Sequence, residues 1–247
     1  MKLVQSTTIN QKLNLKLIKK IEFLSYNNSE LDKILSSDLL AFKPINKATS
    51  SYDVAISTKS KAFTAHYIKP DLILENSKDG IPTVKLYNIL DEYEISNYSK
   101  NTKFIVDALK IRNENLIKVA NFIVKRQLSF FIYNSPLNSI THKEISQTLN
   151  LHISTVSRIL KNKYLKTNIG IFELKDLLSK NIKGHSLDKI LTNIAIIIRD
   201  EDKKNTLSDE EIRIKLNEIN ISISRRSITK YRNYLGIENF RQRKIPD

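Results

Sequence analysis

The sequence contains no cysteine, which excludes disulfides and thiolate metal sites from the 247 residues. Its four histidines are scattered and none stands in a zinc-binding pattern, so neither a metal nor another cofactor is expected. No apolar run reaches the ~18 residues that a membrane helix needs, and polar residues interrupt the N-terminal stretch where a signal peptide would be apolar. A soluble cytoplasmic protein without a membrane partner is the simplest interpretation.

Glycine and proline are also scarce, with four and five residues, which favours long helices and few tight turns. Apolar residues recur at helical spacing over residues 11–40, with a break at Ser25–Ser29, and one long helix is predicted from Asn101 to Tyr133. Between them, Tyr67–Glu75 and Pro82–Tyr87 predict two strands around Lys78-Asp79-Gly80. The fold class expected is mainly α, a multi-segment helical protein with one small β-hairpin.

What the chain has in excess is positive charge. Its formal net charge is +15, and a polyanion is the usual partner of such an excess. Lysine is also favoured by AT-rich codons, so the placement of the arginines is more informative than the total charge. The arginines concentrate late in the chain. No phosphate-binding glycine loop or nucleophile motif indicates an enzyme.

The segment "THKEISQTLNLHISTVSRILKNKY" predicts a first helix-turn-helix unit. Thr141 and Glu144 form a capping-box pattern, apolar residues recur at helix-pair spacing, and Asn150 suits a turn with positive φ. The histidines here, His142 and His152, are interpreted as cap and turn surface. Four polar residues are expected on the outer face of the second helix, where DNA would contact them: Ser154, Thr155, Arg158 and Lys161. The alternative is a helix pair that only packs.

A second unit is predicted near the end of the chain. Ser208 and Glu211 form another capping box, Ser224 is a good N-cap, and Gly236 is expected to end the last helix. Ile228, Tyr231 and Leu235 share its inner face. The outer face is expected to carry Arg225, Arg226, Thr229, Lys230, Arg232 and Asn233. Arginines in the first turn suit bidentate contacts to guanine, whereas Arg232, Arg241, Arg243 and Lys244 suit phosphate contacts. The alternative is a solvated basic face.

The stretch "SRRSITKYRNYLGI" resembles the signature of the bacterial sigma-54 family, usually A-R-R-T-V-A-K-Y-R-E. Five positions match it residue by residue: Arg225, Arg226, Lys230, Tyr231 and Arg232. "LNLHISTVSRILKNKYLKTNIGIFELKDLLS" resembles the family's promoter-reading stretch, and "INQKLNLKLIKKIEFLSYNNSEL" is similar to its activator-responsive helices. "RNENLIKVANFIVKRQLSFF" and "HYIKPDLIL" resemble segments between these two.

The resemblance implies a transcription initiation factor, a specificity subunit and not itself an enzyme. Such a factor binds core RNA polymerase, directs it to promoter DNA at −24 (GG) and −12 (GC) elements, and awaits an AAA+ activator ATPase. It further implies an activator-responsive helical hairpin at 1–45, a linker at 46–66, a reduced core-binding region with the first helix-turn-helix at 67–183, and a DNA-binding domain with an RpoN-box-like helix at 186–247.

The chain also departs from the family pattern. Family members are much longer. Roughly the first half of their core-binding domain, and the acidic segment before it, have no counterpart between Asn46 and His66. An alternative hypothesis is therefore a sequence-specific DNA-binding regulator derived from such a factor, which occupies the same promoters without productive polymerase binding.

Overall fold

The computed structural model describes residues 20–38, 41–45, 53–57, 64–76 and 82–244. Most of the first predicted N-terminal helix and the Lys78-Asp79-Gly80 turn lie outside these ranges. The chain divides into two compact units. Unit one comprises residues 1–125 and 142–177, and unit two comprises residues 126–141 and 178–247.

Helices form most of the regular structure. Residues 20–23 are helical, and a new helix begins after the Asn27 cap, which agrees with the predicted break at Ser25–Ser29. In unit one the described helices are α1 (Asn28–Ser36), α2 (Lys100–Arg126), α4 (His142–Leu149) and α5 (Ile153–Leu160). In unit two they are α3 (Leu128–Tyr133), α6 (Leu187–Arg199), α7 (Asp209–Glu218), α8 (Arg225–Tyr234) and α9 (Phe240–Arg243).

The prediction of a single β-hairpin is wrong, because the described strands form four small sheets. They are β1 (Phe42–Pro44), β2 (Asp53–Ser57), β3 (Thr64–Ile68), β4 (Leu72–Asn76), β5 (Pro82–Leu86), β6 (Tyr93–Ile95), β7 (Tyr164–Thr167), β8 (Gly170–Glu173), β9 (Asn181–Ile182) and β10 (His185–Ser186). The predicted β4–β5 pair is present and antiparallel, with Leu72 opposite Leu86. Its first strand is shorter than predicted, since Pro70 fixes φ and cannot donate to a ladder.

The extra strands have two physical origins. β4 and β7 pair in parallel although about ninety residues separate them, and no local pattern predicts such a contact. β2 lies inside the range predicted as a linker at 46–66 and pairs with β3, which extends two residues beyond that range. A polar composition does not prevent pairing, because the ladder is made by backbone groups.

The single helix predicted from Asn101 to Tyr133 is also wrong, because it breaks at Gln127 into α2 and α3. The Gln127 side chain is fully buried; its Nε2 donates to the Asn138 carbonyl at 2.9 Å and its Oε1 accepts from the Asn138 amide at 2.8 Å. A buried amide left without these partners would cost more than one broken helical turn, so the backbone adapts to the side chain.

Unit one contains a buried cluster of three charged side chains: Asp71, Arg112 and Lys163. Arg112 pairs with Asp71, which also accepts a hydrogen bond from the Asn28 amide at 3.0 Å. Lys163 Nζ donates to the Ser25 carbonyl at 2.8 Å. The cluster therefore joins the N-terminal turn before α1 to β4, α2 and the start of β7.

Burial lowers the pKa of Lys163 from 10.5 to about 8, although Asp71 opposes the shift. Between these two values the unfolded chain holds a proton that the folded chain has released, so stability rises with pH. We expect the free energy of unfolding of the wild type to increase relative to Lys163→Met from about pH 8 to 10.5. Denaturant unfolding across this range measures the difference, and a constant difference would contradict the assignment.

Candidate nucleic-acid interface

The sequence sets both ends of helix α8. The Ser224 hydroxyl accepts a hydrogen bond from the Ser227 amide at 3.2 Å and caps the N-terminus. At the other end Gly236 has φ +71°, a conformation that costs glycine little, and the Ile237 amide donates back to the Arg232 carbonyl at 3.1 Å. The predicted start and stop of this helix are confirmed.

The inner face of α8 is anchored as its spacing predicts. Ile228 is fully buried, and Tyr231 and Leu235 are partly buried against the same core. That core is built from side chains of α6, α7 and the turn before α8: Ile190, Ile194, Ile198, Ile212, Leu216, Ile221 and Ile223. This core therefore fixes the orientation of α8 through contacts with its inner face.

The outer face of α8 exposes four of the six predicted side chains: Arg225, Arg226, Lys230 and Asn233. Arg225 and Arg226 occupy the first turn and, with Ser224 and Thr229, line a shallow concavity. Among the residues that the structure describes, neither Arg226 nor Lys230 has a carboxylate partner. In the first turn, Arg226 thus presents a guanidinium group without a salt bridge that would occupy its donors, and Arg225 beside it is also exposed.

Arg232 does not lie on this exposed face, so its predicted outward placement is wrong. Its side chain is 5% exposed, and Nε donates to Asp209 Oδ1 at 2.8 Å while a terminal nitrogen donates to the Ile237 carbonyl at 2.7 Å. Thr229 is half-buried and donates to Asp209 Oδ2 at 2.7 Å. Both side chains hold α8 against the N-terminus of α7.

Asp209 is a site residue that sequence reasoning missed. Burial raises its pKa, but hydrogen bonds from Arg232 and Thr229 outweigh that effect and hold the pKa below its usual value. The available signal was the acidic first turn of α7. No local pattern connects Asp209 with an arginine in the following helix.

Arg243, also predicted to contact phosphate, has its guanidinium engaged within the fold. Its guanidinium makes two hydrogen bonds to the buried carboxylate of Glu201, at 2.8 and 2.9 Å, and another to the Leu207 carbonyl at 2.9 Å. Arg241 and Lys244 remain exposed. The C-terminal basic group therefore retains two of its three predicted free cations.

The first predicted pair, α4 and α5, is joined by a three-residue turn in which Asn150 has φ +51°, as expected. His152 caps α5 by accepting from the Ser154 amide at 3.3 Å. Ser154 and Arg158 are exposed on α5 and Thr155 is half-buried. Lys161 is exposed but lies at the C-cap, beyond the helical face predicted for it.

The described residues were also compared with the requirements of a membrane span and of a metal site. None of the helices there combines the length and hydropathy of a bilayer span. In the same ranges, no three or more His, Asp or Glu side chains are grouped to hold a metal ion.

A capped helix anchored by an apolar core, with arginines exposed in its first turn, is characteristic of helical DNA-binding domains. The family model described as sigma-54, DNA binding domain, matches residues 92–245. The chain belongs to the sigma-54 family, which confirms the family inferred from the sequence.

Three known proteins illustrate the similarity. The putative RNA polymerase sigma-54 factor of Clostridium kluyveri is 34% identical over 209 residues, covering 81% of this chain and 44% of the relative. The RNA polymerase sigma-54 factor of Vibrio anguillarum is 30% identical over 204 residues, covering 73% and 42%. The crystal structure of Aquifex aeolicus sigmaN bound to promoter DNA superposes with a TM-score of 0.56 at 29% identity, covering 75% of this chain and 62% of that one. The chain thus spans less than half the length of the first two relatives.

Proposed function

We propose that the protein is a sigma-54-type transcription initiation factor that directs RNA polymerase to −24/−12 promoters. The observation that carries the proposal is the exposed first turn of α8, where Arg225 and Arg226 project from a helix anchored by Ile228. An arginine fork meets O6 and N7 of guanine together, so two neighbouring arginines suit a GG element.

The remaining exposed side chains have roles consistent with this proposal. Lys230 would assist at the −24 element. Ser154, Thr155 and Arg158 on α5 would contact the −12 region, with Lys161 beside them. Arg241 and Lys244 suit phosphate contacts, which position a protein without specifying sequence. Asn233, exposed one turn after Thr229, is a further polar candidate on α8.

Polymerase binding and activator dependence extend the proposal. Helix α2 and the β4–β5 pair are the proposed docking surface for core polymerase. An AAA+ ATPase would act on the N-terminal helices. Membership of the sigma-54 family supports these proposed roles.

Size-exclusion chromatography with core polymerase at micromolar concentration tests the proposal. We expect co-elution, and a closed complex whose footprint covers both promoter elements. Arg226→Ala should still co-elute with polymerase but lose the footprint at the GG element. If the chain and polymerase elute separately while the chain alone protects the promoter, the protein is the DNA-binding regulator of the alternative hypothesis.

A further inference from the structure

A small basic hairpin stands beside the interface and takes no part in the roles proposed above. It consists of β9 and β10, which pair antiparallel with His185 opposite Ile182, and the connecting residues Lys183 and Gly184. The Asn181 side chain accepts from the Gly184 amide at 3.0 Å and closes the turn. The Leu187 amide donates to the Lys180 carbonyl at 2.8 Å, so the base of the hairpin is fixed as well.

The hairpin presents its positive charge outward. Lys183, at the tip, has φ +49°, and both Lys183 and Lys180 are exposed. Residues 178–187 contain no acidic side chain, and neither lysine has an ion-pair partner in the described part of the chain. Ile182, by contrast, packs against the core that anchors α8. The hairpin is therefore tied to that core while its cations face solvent.

Its position relative to α8 is set by one contact. The His185 ring Nε2 lies 2.9 Å from the Asn220 carbonyl, in the turn between α7 and α8. Three residues separate Asn220 from the Ser224 cap. The four steps along the chain between them span at most about 14 Å. The hairpin thus lies close to the turn that leads into the first turn of α8.

This upper limit on the length of the turn is similar to the width of a duplex groove. The major groove is about 12 Å wide, so a group that lies about one groove width from the start of a groove-bound helix meets the flanking sugar-phosphate backbone. Exposed lysines suit that backbone, since an ammonium binds phosphate as a point charge without reading sequence.

We propose that the basic hairpin is a second DNA contact, in which Lys180 and Lys183 bind backbone phosphates beside the groove that α8 enters. The inference rests on the proposed role of α8 as the groove-binding helix. The C-terminal unit then contacts DNA at two points. The hairpin fixes the position of the unit along the duplex, and α8 supplies the sequence preference.

Lys183→Asn and Lys180→Gln each remove one charge, and asparagine tolerates the positive φ of residue 183. Arg199→Gln is the control for the loss of one positive charge elsewhere in the unit, because Arg199 is exposed, pairs with Asp200 and lies at the opposite end of α6, about 18 Å along its axis. Binding to a GG duplex and to a scrambled duplex is measured between about 50 and 200 mM salt.

We expect each lysine variant to lower the slope of log K against log salt by about 0.9 and to weaken both duplexes alike, by roughly three- to ten-fold. The preference for GG should be unchanged. Arg199→Gln should keep the slope of the wild type. Equal slopes in all proteins, or an equal fall in the control, would overturn the proposal.

Shortened duplexes locate the contact. Trimming one flank of the GG element should weaken the wild type, and the same trimming should not further weaken the double variant Lys180→Gln/Lys183→Asn. Equal losses in both proteins would overturn the proposal.

The outcomes separate this inference from the function on which it rests. If the wild type prefers GG but the lysine variants keep its slope of log K against log salt, only the hairpin contact is refuted. A wild type without preference for GG would refute the role of α8 and the inference with it. If the lysine variants keep their DNA slope but no longer co-elute with core polymerase, the hairpin belongs to a protein interface and the proposal fails.

Discussion

Arg226→Ala is expected to weaken binding to a GG-containing duplex by about ten- to a hundred-fold and to flatten the preference at one base pair. A bidentate arginine–guanine contact contributes roughly 1–3 kcal/mol of discrimination, which corresponds to this range. The side chain is exposed, so its removal should leave the fold intact. Fluorescence titration over a series of promoter variants at one fixed salt concentration measures the effect.

Arg241→Ala is the matched control for this measurement. Arg241 is an exposed arginine of the same unit, and it lies outside α8. Because Arg241 is a proposed phosphate contact, Arg241→Ala should weaken binding to every duplex by the same modest factor and leave the base preference unchanged. If Arg226→Ala lowers the affinity for GG and scrambled duplexes equally, α8 attracts DNA only through its positive charge and does not read the sequence.

The parts of the site that could be predicted from sequence are those set by local rules. The Ser224 cap, the Gly236 stop and the buried spacing of Ile228 all follow from contacts within a few residues along the chain. The same local rules located the turn at Asn150. Each depends on backbone geometry that the residue type itself determines.

The parts that could not be predicted depend on distant partners. Arg232 and Arg226 belong to the same basic run, but Arg232 lies one turn after the buried Ile228, and no local spacing predicts its ion pair with Asp209 in the preceding helix. Arg243 is buried because Glu201 lies beneath it, forty-two residues earlier in the chain. The fold shows the same limit, since the parallel pairing of β4 with β7 and the break at Gln127 both arise from nonlocal contacts.

Family signatures mix these two kinds of residue. Five positions of α8 match the sigma-54 pattern, yet the structure divides them. Arg225, Arg226 and Lys230 are exposed, whereas Arg232 is buried and Tyr231 is half-buried. A match to the signature therefore indicates a correctly folded and oriented helix as much as it indicates contact with DNA.

Arg232→Ala is expected to destabilise unit two, with a loss of about 1–3 kcal/mol in the free energy of unfolding. Truncation leaves the half-buried carboxylate of Asp209 without its partner and the Ile237 carbonyl without a donor. Denaturant unfolding, with amide exchange in α7 and α8, measures the loss. Binding to GG and scrambled duplexes should fall together, in proportion to the folded fraction.

Arg226→Ala also removes an arginine side chain from α8, but from an exposed position. It should leave the free energy of unfolding within about 0.5 kcal/mol of the wild type, as is usual for exposed positions. Arg232→Lys should rescue little, because an ammonium cannot reproduce the fork that spans both oxygens of Asp209 and the Ile237 carbonyl. The double variant Asp209→Ala/Arg232→Ala should lose less than the sum of the two single losses, since neither charge is then left buried alone. Two results would contradict this structural role of Arg232: additive losses in the double variant, or a stable Arg232→Ala that loses only DNA binding.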